Sequence, residues 1–438
     1  MRLILLALAL VFANSSLAVS AAFQPNVSID FSPAAISKQL TQQTITQVFQ
    51  DSHGVLWVLT QEGLNRYNGL ELENYRYSPT DQASISSNSV TRVAEDSNGT
   101  VWISTFGGGL NRYDPRTNSF EALYTSGDKE SSPISNDIYT VFCDQDGKLW
   151  LGYENAFSTF NPSTNKFRHF VPRDEGIPTL GLISRFSQTS DGTIWAASQN
   201  GLIEINTTSN RITIHKHIPG DQTTISSNDL KGVTVDNTDR VWIFSRDRGV
   251  SVINTSENSV EHFVHDDADL NSLSSDIIYD AFEDSSGRLW IGTYEGLDLF
   301  VPKTNNFQRF TKANTNLPSD RINSIYQSRE GKYWIGTYFG LASGTESLFP
   351  KVDMLYGGLS SNSVNAFSET ADGSFWVGTD DGYVQVTLDG GTTWTNVTRN
   401  VDGVPEGTWV SRVEASPFDA ATAWVTFDGH RTGDMSPY

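Results

Sequence analysis

Short β-type segments separated by small polar residues run through most of the chain. In one example, the segment 277–282 (IIYDAF) precedes the turn 284–287 (DSSG), and 289–293 (LWIGT) follows it. Asp, Asn, Ser and Gly suit tight hairpins, because they tolerate positive φ or bond the amides of the turn. The pattern therefore predicts two antiparallel strands joined by a tight turn.

This unit recurs eight times, each time with a tryptophan in its second apolar segment. Neighbouring tryptophans are 42 to 48 residues apart: Trp57, Trp102, Trp150, Trp195, Trp242, Trp290, Trp334 and Trp376. A period in the forties, built from short strands, is the signature of a β-propeller with one four-stranded blade per repeat. One indole per blade suits packing between neighbouring sheets, so we expect these side chains in the core rather than on a stacking platform for sugars or bases.

The rest of each repeat predicts two more strands. A second glycine, or Ala156 in the third repeat, follows each tryptophan by six or seven residues and predicts the next hairpin. A third strand such as 110–113 (LNRY) and a fourth around Phe120 or Phe263 complete the blade. Among the eight turns after the first strands, only DNTD at 236 lacks a glycine, with Asp239 in its place. These turns lack the ligand spacing of a calcium loop, so they are expected to be turns alone.

The motifs also resemble a known family. The segments 44–69 (TITQVFQDSHGVLWVLTQEGLNRYNG) and 90–115 (VTRVAEDSNGTVWISTFGGGLNRYDP) resemble the two-component regulator propeller repeat, and the likeness covers about 40–380. It implies the periplasmic sensor region of a membrane receptor, commonly as paired propellers. It also implies a following β-sandwich, a transmembrane helix and a histidine kinase or diguanylate cyclase, with dimerisation possible in the full-length receptor. This sequence contains none of those later modules.

The pattern changes after Gly382. The segment reads YVQVTLDGGTTWTNVT, in which Thr387, Asp389, Gly391 and Trp394 match the Asp box. About 376–438 therefore resembles Asp-box propellers of the sortilin and glycosidase-like type, where this hairpin is structural. We predict an all-β fold with a seven-bladed propeller over 23–357. A truncated partial second propeller is predicted over 358–438, with an eighth blade as the alternative and a junction of two propeller families as one explanation.

The N-terminus predicts export. Residues 1–22 combine Arg2, an apolar stretch at 3–12 and a small-residue cleavage site, as in a secretory signal peptide. A periplasmic or secreted location is therefore expected. No other run has the length and apolar character of a membrane span. After the signal, the alternating segment 27–31 is available to complete the last blade.

Composition narrows the range of partners. The net charge of −21 leaves no basic stripe for phosphate backbones, so nucleic-acid binding is not expected. Cys143 is the single cysteine and cannot form an internal disulfide. Stability is therefore expected to come from packing.

The sequence predicts no catalytic residue, no metal site and no cofactor. Arg92, Arg185 and Arg321 lie on predicted first strands, but no F-R-I-P element accompanies them as in sialidases. The seven histidines keep no metal-ligand spacing, and neither a nucleophile elbow nor a P-loop is present. Enzyme activity stays open, and recognition is preferred over catalysis.

A ring of variable residues is the candidate binding site. Loops between second and third strands share one rim of a propeller, and the residue four positions after each tryptophan lies on such a loop: Gln61, Phe106, Glu154, Gln199, Arg246, Tyr294 and Tyr338. Aromatic and planar polar side chains suit a saccharide or another small polar ligand. The preferred function is an extracytoplasmic ligand-sensing propeller of a signalling receptor. The alternatives are a secreted Asp-box glycoside hydrolase-like protein and a protein-binding scaffold.

Overall fold

The computed structural model describes residues 27, 29–172, 179–346, 359–361, 363–370, 373–388, 393–401, 403–416, 418–419 and 422–429. The chain divides into two compact units, one from Ile29 to Glu346 and one formed by the remainder. The predicted signal peptide and the Asp389 and Gly391 positions of the Asp box lie outside the described residues.

Seven four-stranded antiparallel sheets build the unit from Ile29 to Glu346, and we number them blades 1 to 7. Its first strand, β1 (Ile29–Pro33), belongs to blade 7. Blades 1 to 3 consist of β2 (Ile45–Gln50), β3 (Leu56–Thr60), β4 (Gly63–Tyr67) and β5 (Leu72–Tyr75); β6 (Val90–Glu95), β7 (Val101–Thr105), β8 (Gly109–Asp114) and β9 (Ser119–Leu123); and β10 (Thr140–Cys143), β11 (Leu149–Tyr153), β12 (Ala156–Asn161) and β13 (Lys166–Phe170).

The same order of strands continues through the rest of this unit. Blades 4 to 6 consist of β14 (Ile183–Gln188), β15 (Ile194–Ser198), β16 (Gly201–Asn206) and β17 (Arg211–His215); β18 (Leu230–Val235), β19 (Arg240–Ser245), β20 (Val250–Asn254) and β21 (Ser259–Phe263); and β22 (Ile278–Glu283), β23 (Leu289–Thr293), β24 (Leu297–Val301) and β25 (Asn306–Phe310). Blade 7 adds β26 (Ile322–Gln327), β27 (Tyr333–Thr337) and β28 (Gly340–Glu346) to β1. A 3-10 turn, Ser37–Gln39, follows β1.

The ring is closed. First strands of neighbouring blades pack against each other around a central channel, and β26 of blade 7 packs against β2 of blade 1. The Ser324 hydroxyl accepts a hydrogen bond of 3.0 Å from the backbone N–H of Val48 across this junction. At the outer edge, β1 pairs with β28, so the N-terminal segment completes blade 7 as the alternation at 27–31 predicts. The predicted all-β propeller with seven four-stranded blades is thereby confirmed.

The tryptophans lie on second strands and are buried, as the sequence predicts. In five blades the indole Nε1 also donates, over 2.7–2.8 Å, to the carboxylate six residues earlier: Asp51, Asp96, Asp144, Asp236 and Asp284. The other oxygen of Asp284 accepts the backbone N–H groups of Ser286 and Arg288. One carboxylate therefore closes the turn and fixes the indole. The sequence had predicted only the bonding of the turn amides, not the hydrogen bond to the tryptophan.

A belt of hydrogen bonds joins the blades on the face that carries these turns. In five blades the side chain seven residues before the tryptophan accepts a backbone N–H from the neighbouring blade over 2.7–3.0 Å: Gln50 from Arg329, Glu95 from Ser52, Gln188 from Gln145, Glu283 from Asn237, and Gln327 from Ser285. Blade 5 has Val235 at this position, which has no side-chain acceptor. Asp239, at a φ of 61°, accepts the N–H of Ser190 instead.

The second unit contains another four-stranded sheet and a hairpin. The sheet is formed by β29 (Val364–Glu369), β30 (Phe375–Thr379), β31 (Val384–Thr387) and β32 (Thr395–Asn396), followed by a 3-10 turn at Thr398–Asn400. The hairpin of β33 (Trp409–Ala415) and β34 (Ala423–Asp428) packs against it. Trp376 is buried on β30, as in the blades of the ring.

Candidate functional site

Backbone hydrogen bonds place the predicted rim residues beside the entrance to the central channel. In six blades the N–H four residues after the tryptophan donates to the carbonyl of the residue preceding the first strand, over 2.9–3.2 Å: Gln61, Phe106, Gln199, Arg246, Tyr294 and Tyr338. In the third blade Glu154 forms a β-bridge to Leu182, at the start of the fourth blade. We call this ring the upper rim. Because first strands line the channel, the upper rim surrounds its mouth.

A β-bulge lies just inside the upper rim in six blades. The pairing of first and second strands skips one residue, eleven positions before the tryptophan: Thr46, Thr91, Ser184, Lys231, Tyr279 and Asn323. A bulge leaves one residue unpaired and redirects its side chain, and bulges are common next to functional sites. The bulged positions vary in chemistry, whereas the residue before each of them is Ile, Val or Leu.

Three tyrosines surround one arginine at the mouth. The Arg321 Cζ atom lies 4.6 Å from the ring centroids of both Tyr279 and Tyr338, and 5.9 Å from that of Tyr294. Arg321 Nε donates to Asn323 Oδ1 over 3.3 Å. Tyr294 is 46% exposed, and the other two rings are half-buried. We call Tyr279, Tyr294, Arg321 and Tyr338 the mouth cluster. Cation–π contacts with the rings hold the guanidinium while donors at its edges stay available.

Two other rim residues have identified contacts elsewhere on the ring. Phe106 packs edge-on against Tyr139, with ring centroids 5.6 Å apart. Arg246 Nε pairs with Asp229 Oδ2 at 2.9 Å, and both side chains are about half exposed. Gln61, Glu154 and Gln199 are exposed. The structure therefore places all seven predicted residues on one rim, but brings only Tyr294 and Tyr338 together, through Arg321.

Charged groups of both signs lie at and inside the mouth. Burial lowers the pKa of the Lys231 ammonium, and three nearby guanidinium groups lower it further: Arg246, Arg92 and Arg321. Asp229 opposes this effect. Burial also raises the pKa of Tyr139, with the nearby carboxylates of Glu154 and Asp137 adding to the increase. The mouth therefore combines cationic, acidic and aromatic side chains.

Sequence reasoning missed Tyr279 and Lys231 as mouth residues. Both occupy the bulged position, and the available signal was the variability eleven residues before each tryptophan, next to an invariably aliphatic position. The sequence placed Arg321 on a first strand, whereas it lies immediately before β26, and its contact with the predicted tyrosines was not foreseen.

Two chemical features are absent from the described part of the chain. It contains no group of three His, Cys, Asp or Glu side chains that could hold a metal ion. Nor does it include a helix with the length and apolar character needed to cross a membrane.

Comparison with known families identifies the repeat. A model described as "Two component regulator propeller" matches residues 84–107, 132–155, 272–295, 316–339 and 358–381. Each match covers the connection into a sheet and most or all of its first two strands, including the buried tryptophan. A short segment of 47 residues, 11% of this chain, is 43% identical to Histidine kinase P4 of Formosa agariphila and covers 3% of that protein.

Solved structures share the architecture. The extracellular domain of a hybrid two-component system from B. thetaiotaomicron aligns with a TM-score of 0.68 and 21% identity, covering 92% of this chain and 54% of that one. A one-component system from the same organism has an extracellular domain that aligns at 0.58 with 18% identity, covering 92% and 52%. The chain thus spans about half the length of these two structures.

An enzyme shares the same ring architecture. Virginiamycin B lyase from Staphylococcus aureus aligns with a TM-score of 0.54 and 16% identity, covering 74% of this chain and all of the lyase. Identities of 16–21% establish the common propeller fold and do not transfer an activity.

Proposed function

We propose that this chain, which carries the repeats of the two-component regulator propeller family, is the extracytoplasmic ligand-binding part of a signal-transduction receptor. Its ligand is a saccharide or another small polar molecule, and it binds at the mouth cluster. The observation that carries the proposal is the convergence of three tyrosines on Arg321 at the open end of the channel.

The mouth cluster has the chemistry that a polar ring-shaped ligand requires. Tyrosine offers an apolar ring face for stacking together with a hydroxyl for hydrogen bonding. A guanidinium presents up to five N–H donors in a rigid plane, which suits vicinal hydroxyls or an oxyanion. The residues of the mouth cluster belong to blades 6 and 7, whose backbones are fixed by sheet pairing. Rigid supports of this kind reduce the entropy lost on binding.

The direct test is a screen of saccharides and small metabolites by calorimetry, followed by substitutions at the rim. Tyr294→Ala and Tyr338→Ala should each weaken binding about tenfold, corresponding to about 1–2 kcal/mol, because each removes a stacking surface. Arg246→Ala should act in the same direction if the ligand extends along the rim. The matched control is Tyr124→Ala, which removes an equally exposed tyrosine that follows the outer strand β9.

The result also separates the alternatives. If a ligand binds and all three rim variants retain wild-type affinity while folding normally, the mouth cluster is not the site. Release of sugar products from the panel would instead favour a glycoside hydrolase-like activity. Binding to a partner protein, with no small ligand in the screen, would favour a scaffold.

A further inference from the structure

A fully buried carboxyl group lies on the third strand of blade 6. Asp298 is 0% exposed. Its Oδ2 accepts the backbone N–H of Ser274 over 2.8 Å and the Ser274 hydroxyl over 2.9 Å. Within the part of the chain that the structure describes, its Oδ1 has no hydrogen-bond partner. An ionised carboxylate in this position would lose its hydration without full compensation.

Asparagine occupies the equivalent position in blades 1 and 2. Asn65 pairs with Val58 across the sheet, and its Oδ1 accepts the backbone N–H of Thr41 over 2.8 Å. Its Nδ2 donates to the Val58 carbonyl over 2.8 Å and to the Thr41 hydroxyl over 3.1 Å. In blade 2, Asn111 also accepts an N–H through Oδ1 and donates through Nδ2 to a serine hydroxyl. The position therefore uses one acceptor atom and one donor atom.

Asp298 can supply the donor only when it is protonated. It pairs with Ile291 as Asn65 pairs with Val58, so with Oδ2 as the acceptor, Oδ1 takes the place of the amide nitrogen. A protonated carboxyl has one O–H donor, whereas a carboxylate only accepts. Ionisation would place negative charge at the atom that, in blade 1, donates to a backbone carbonyl. The geometry therefore favours the neutral acid.

Two cationic or titratable groups lie near Asp298 but bond elsewhere. Arg309 is opposite Asp298 on β25, and its guanidinium donates to three carbonyls of the loop 269–273. His265 bonds a carbonyl of the same loop over 2.7 Å and lies 3.0 Å from the Asp267 carboxylate. Burial raises the pKa of Asp298 to about 7, although its own hydrogen bonds and these two groups oppose the increase.

The other elements around Asp298 bring no further cation to it in the described part of the chain. Strand β23 has no charged residue. In blade 5, Arg240 packs over Phe300 of β24 but pairs with Asp236 at 2.8 Å. The remaining charged residues of the segments 264–277 and 294–296 are acidic: Asp266, Asp269, Asp276 and Glu295. Nearby carboxylates disfavour the ionised form further.

Hydrogen bonds connect Asp298 to the hairpin that carries Tyr294. The hydroxyl oxygens of Ser274 and Thr293 are 2.7 Å apart. Thr293 Oγ1 donates to the Gly296 carbonyl over 3.0 Å and accepts a backbone N–H of the same turn over 3.0 Å. Because Ser274 has one hydroxyl hydrogen, an ionised Asp298 would draw it away from Thr293. Ionisation would therefore weaken the bonds that close this hairpin.

We infer that Asp298 is a protonated acid in the folded protein, and that its ionisation at higher pH loosens the hairpin 293–296 and makes the mouth cluster sensitive to pH. This inference rests on the proposed function only in taking Tyr294 as part of a ligand site. An acid with a raised folded pKa contributes stability below its unfolded pKa of about 3.9, and the contribution is lost as the pH rises through the folded value.

The first test compares the wild type with Asp298→Asn in urea titrations from about pH 5 to about pH 8. The variant retains the acceptor and supplies the donor that Asn65 supplies in blade 1. Relative to the variant, the folding equilibrium constant of the wild type should fall about tenfold per pH unit up to about pH 7 and then level off. His265 is present in both proteins, so the difference isolates Asp298. An infrared band of a protonated carboxyl should appear in the wild type near pH 6 and be missing in the variant.

Hydrogen exchange followed by mass spectrometry tests the connection to Tyr294. After correction for intrinsic rates, protection of 293–297 should fall about tenfold between about pH 6 and about pH 8 in the wild type and stay constant in Asp298→Asn. The hairpin 60–64, which Asn65 supports in blade 1, is the internal control and should not respond. Asn65→Asp should transfer the response to blade 1. If that variant does not fold, the comparison of the two hairpins in the wild type still decides.

Two results would overturn the inference at its first step: the same pH dependence of folding in the wild type and Asp298→Asn, or no protonated carboxyl band. Equal behaviour of the two hairpins at every pH would overturn the connection to Tyr294. None of these measurements uses a ligand. A sugar screen without a hit would therefore leave the inference standing, and a hairpin without pH response would leave binding at the mouth cluster unaffected.

Discussion

At the scale of single residues, one aspartate has two structural functions in the same hairpin. Asp284 is buried, and its Oδ2 accepts hydrogen bonds of 2.8 Å from Trp290, Tyr333 and Arg288. Burial raises the pKa of Asp284, but these bonds and the amide of Arg288 outweigh it and leave the pKa below its usual value. The folded protein therefore favours the ionised form.

This predicts a pH-dependent effect of Asp284→Asn. A carboxyl whose folded pKa is depressed contributes stability above its unfolded pKa of about 3.9, and the contribution is lost as the pH falls through the folded value. At pH 7 the variant should lose about 1–3 kcal/mol of unfolding free energy in urea titrations. Below about pH 4 the difference in unfolding free energy between the variant and the wild type should become smaller, because the wild-type protein then loses the contribution of the ionised carboxylate.

Asp146→Asn is the control for that titration. Asp146 is an exposed turn carboxylate 3.7 Å from Lys148, so its substitution should change stability by less than about 0.5 kcal/mol at any pH. If Asp284→Asn lost the same amount of unfolding free energy at pH 3 as at pH 7, the ionised Asp284 carboxylate would not be the stabilising hydrogen-bond acceptor.

At the scale of elements, β1 closes blade 7 through alternating side chains. Ile29 and Phe31 are buried, whereas Asp30 and Ser32 are exposed. Phe31 packs edge-on against Phe310 of blade 6, with centroids 6.2 Å apart. Without β1, the edge of β28 would present unpaired backbone groups to solvent.

Phe31→Ala should therefore lower the unfolding free energy by about 3–5 kcal/mol, as expected for a buried aromatic side chain. Asp30→Ala, on the same strand but facing outward, should change it by less than about 0.5 kcal/mol. Chemical denaturation of the two variants checks this. Equal, small losses in both would show that β1 does not hold the ring closed.

The repeating elements were predictable because each is determined locally. Alternating apolar residues, turn glycines and one tryptophan specify a hairpin from about twenty consecutive residues. The mouth cluster was not predictable in this way, because Tyr279 and Arg321 come from different blades and meet only after the ring has closed. The bulged position of Tyr279 is marked in the sequence only as a variable residue after an aliphatic one, and since Thr91 and Ser184 occupy equivalent positions, this mark does not single out Tyr279. Likewise, the role of Asp239 depends on Ser190, 49 residues earlier.

At the scale of the whole molecule, the two units differ in how well they cover apolar surface. In the second unit Phe367, Leu388 and Trp424 are 72%, 77% and 56% exposed. Its core is a small cluster around Trp376 and Val410. In the ring, by contrast, larger buried hydrophobic clusters lie between neighbouring blades, each with a tryptophan. Low burial allows local opening at a smaller free-energy cost.

Limited proteolysis should therefore remove much of the chain after Glu346 and leave a resistant fragment close to Ile29–Glu346. Mass spectrometry of the fragments locates the cuts. The ring's own exposed loops serve as the internal control, because cuts there should be slower. Equal protection up to the C-terminus would contradict the difference in stability between the units.

The proposed ligand site is the point at which three tyrosines converge on Arg321. The most direct measurement is a crystal structure of the protein with a sugar identified in the screen. We predict density for a sugar ring in van der Waals contact with Tyr294 or Tyr338 and a polar group of that sugar within hydrogen-bonding distance of Arg321. A well-defined ligand elsewhere, with the mouth cluster unoccupied at saturating concentration, would contradict the claim.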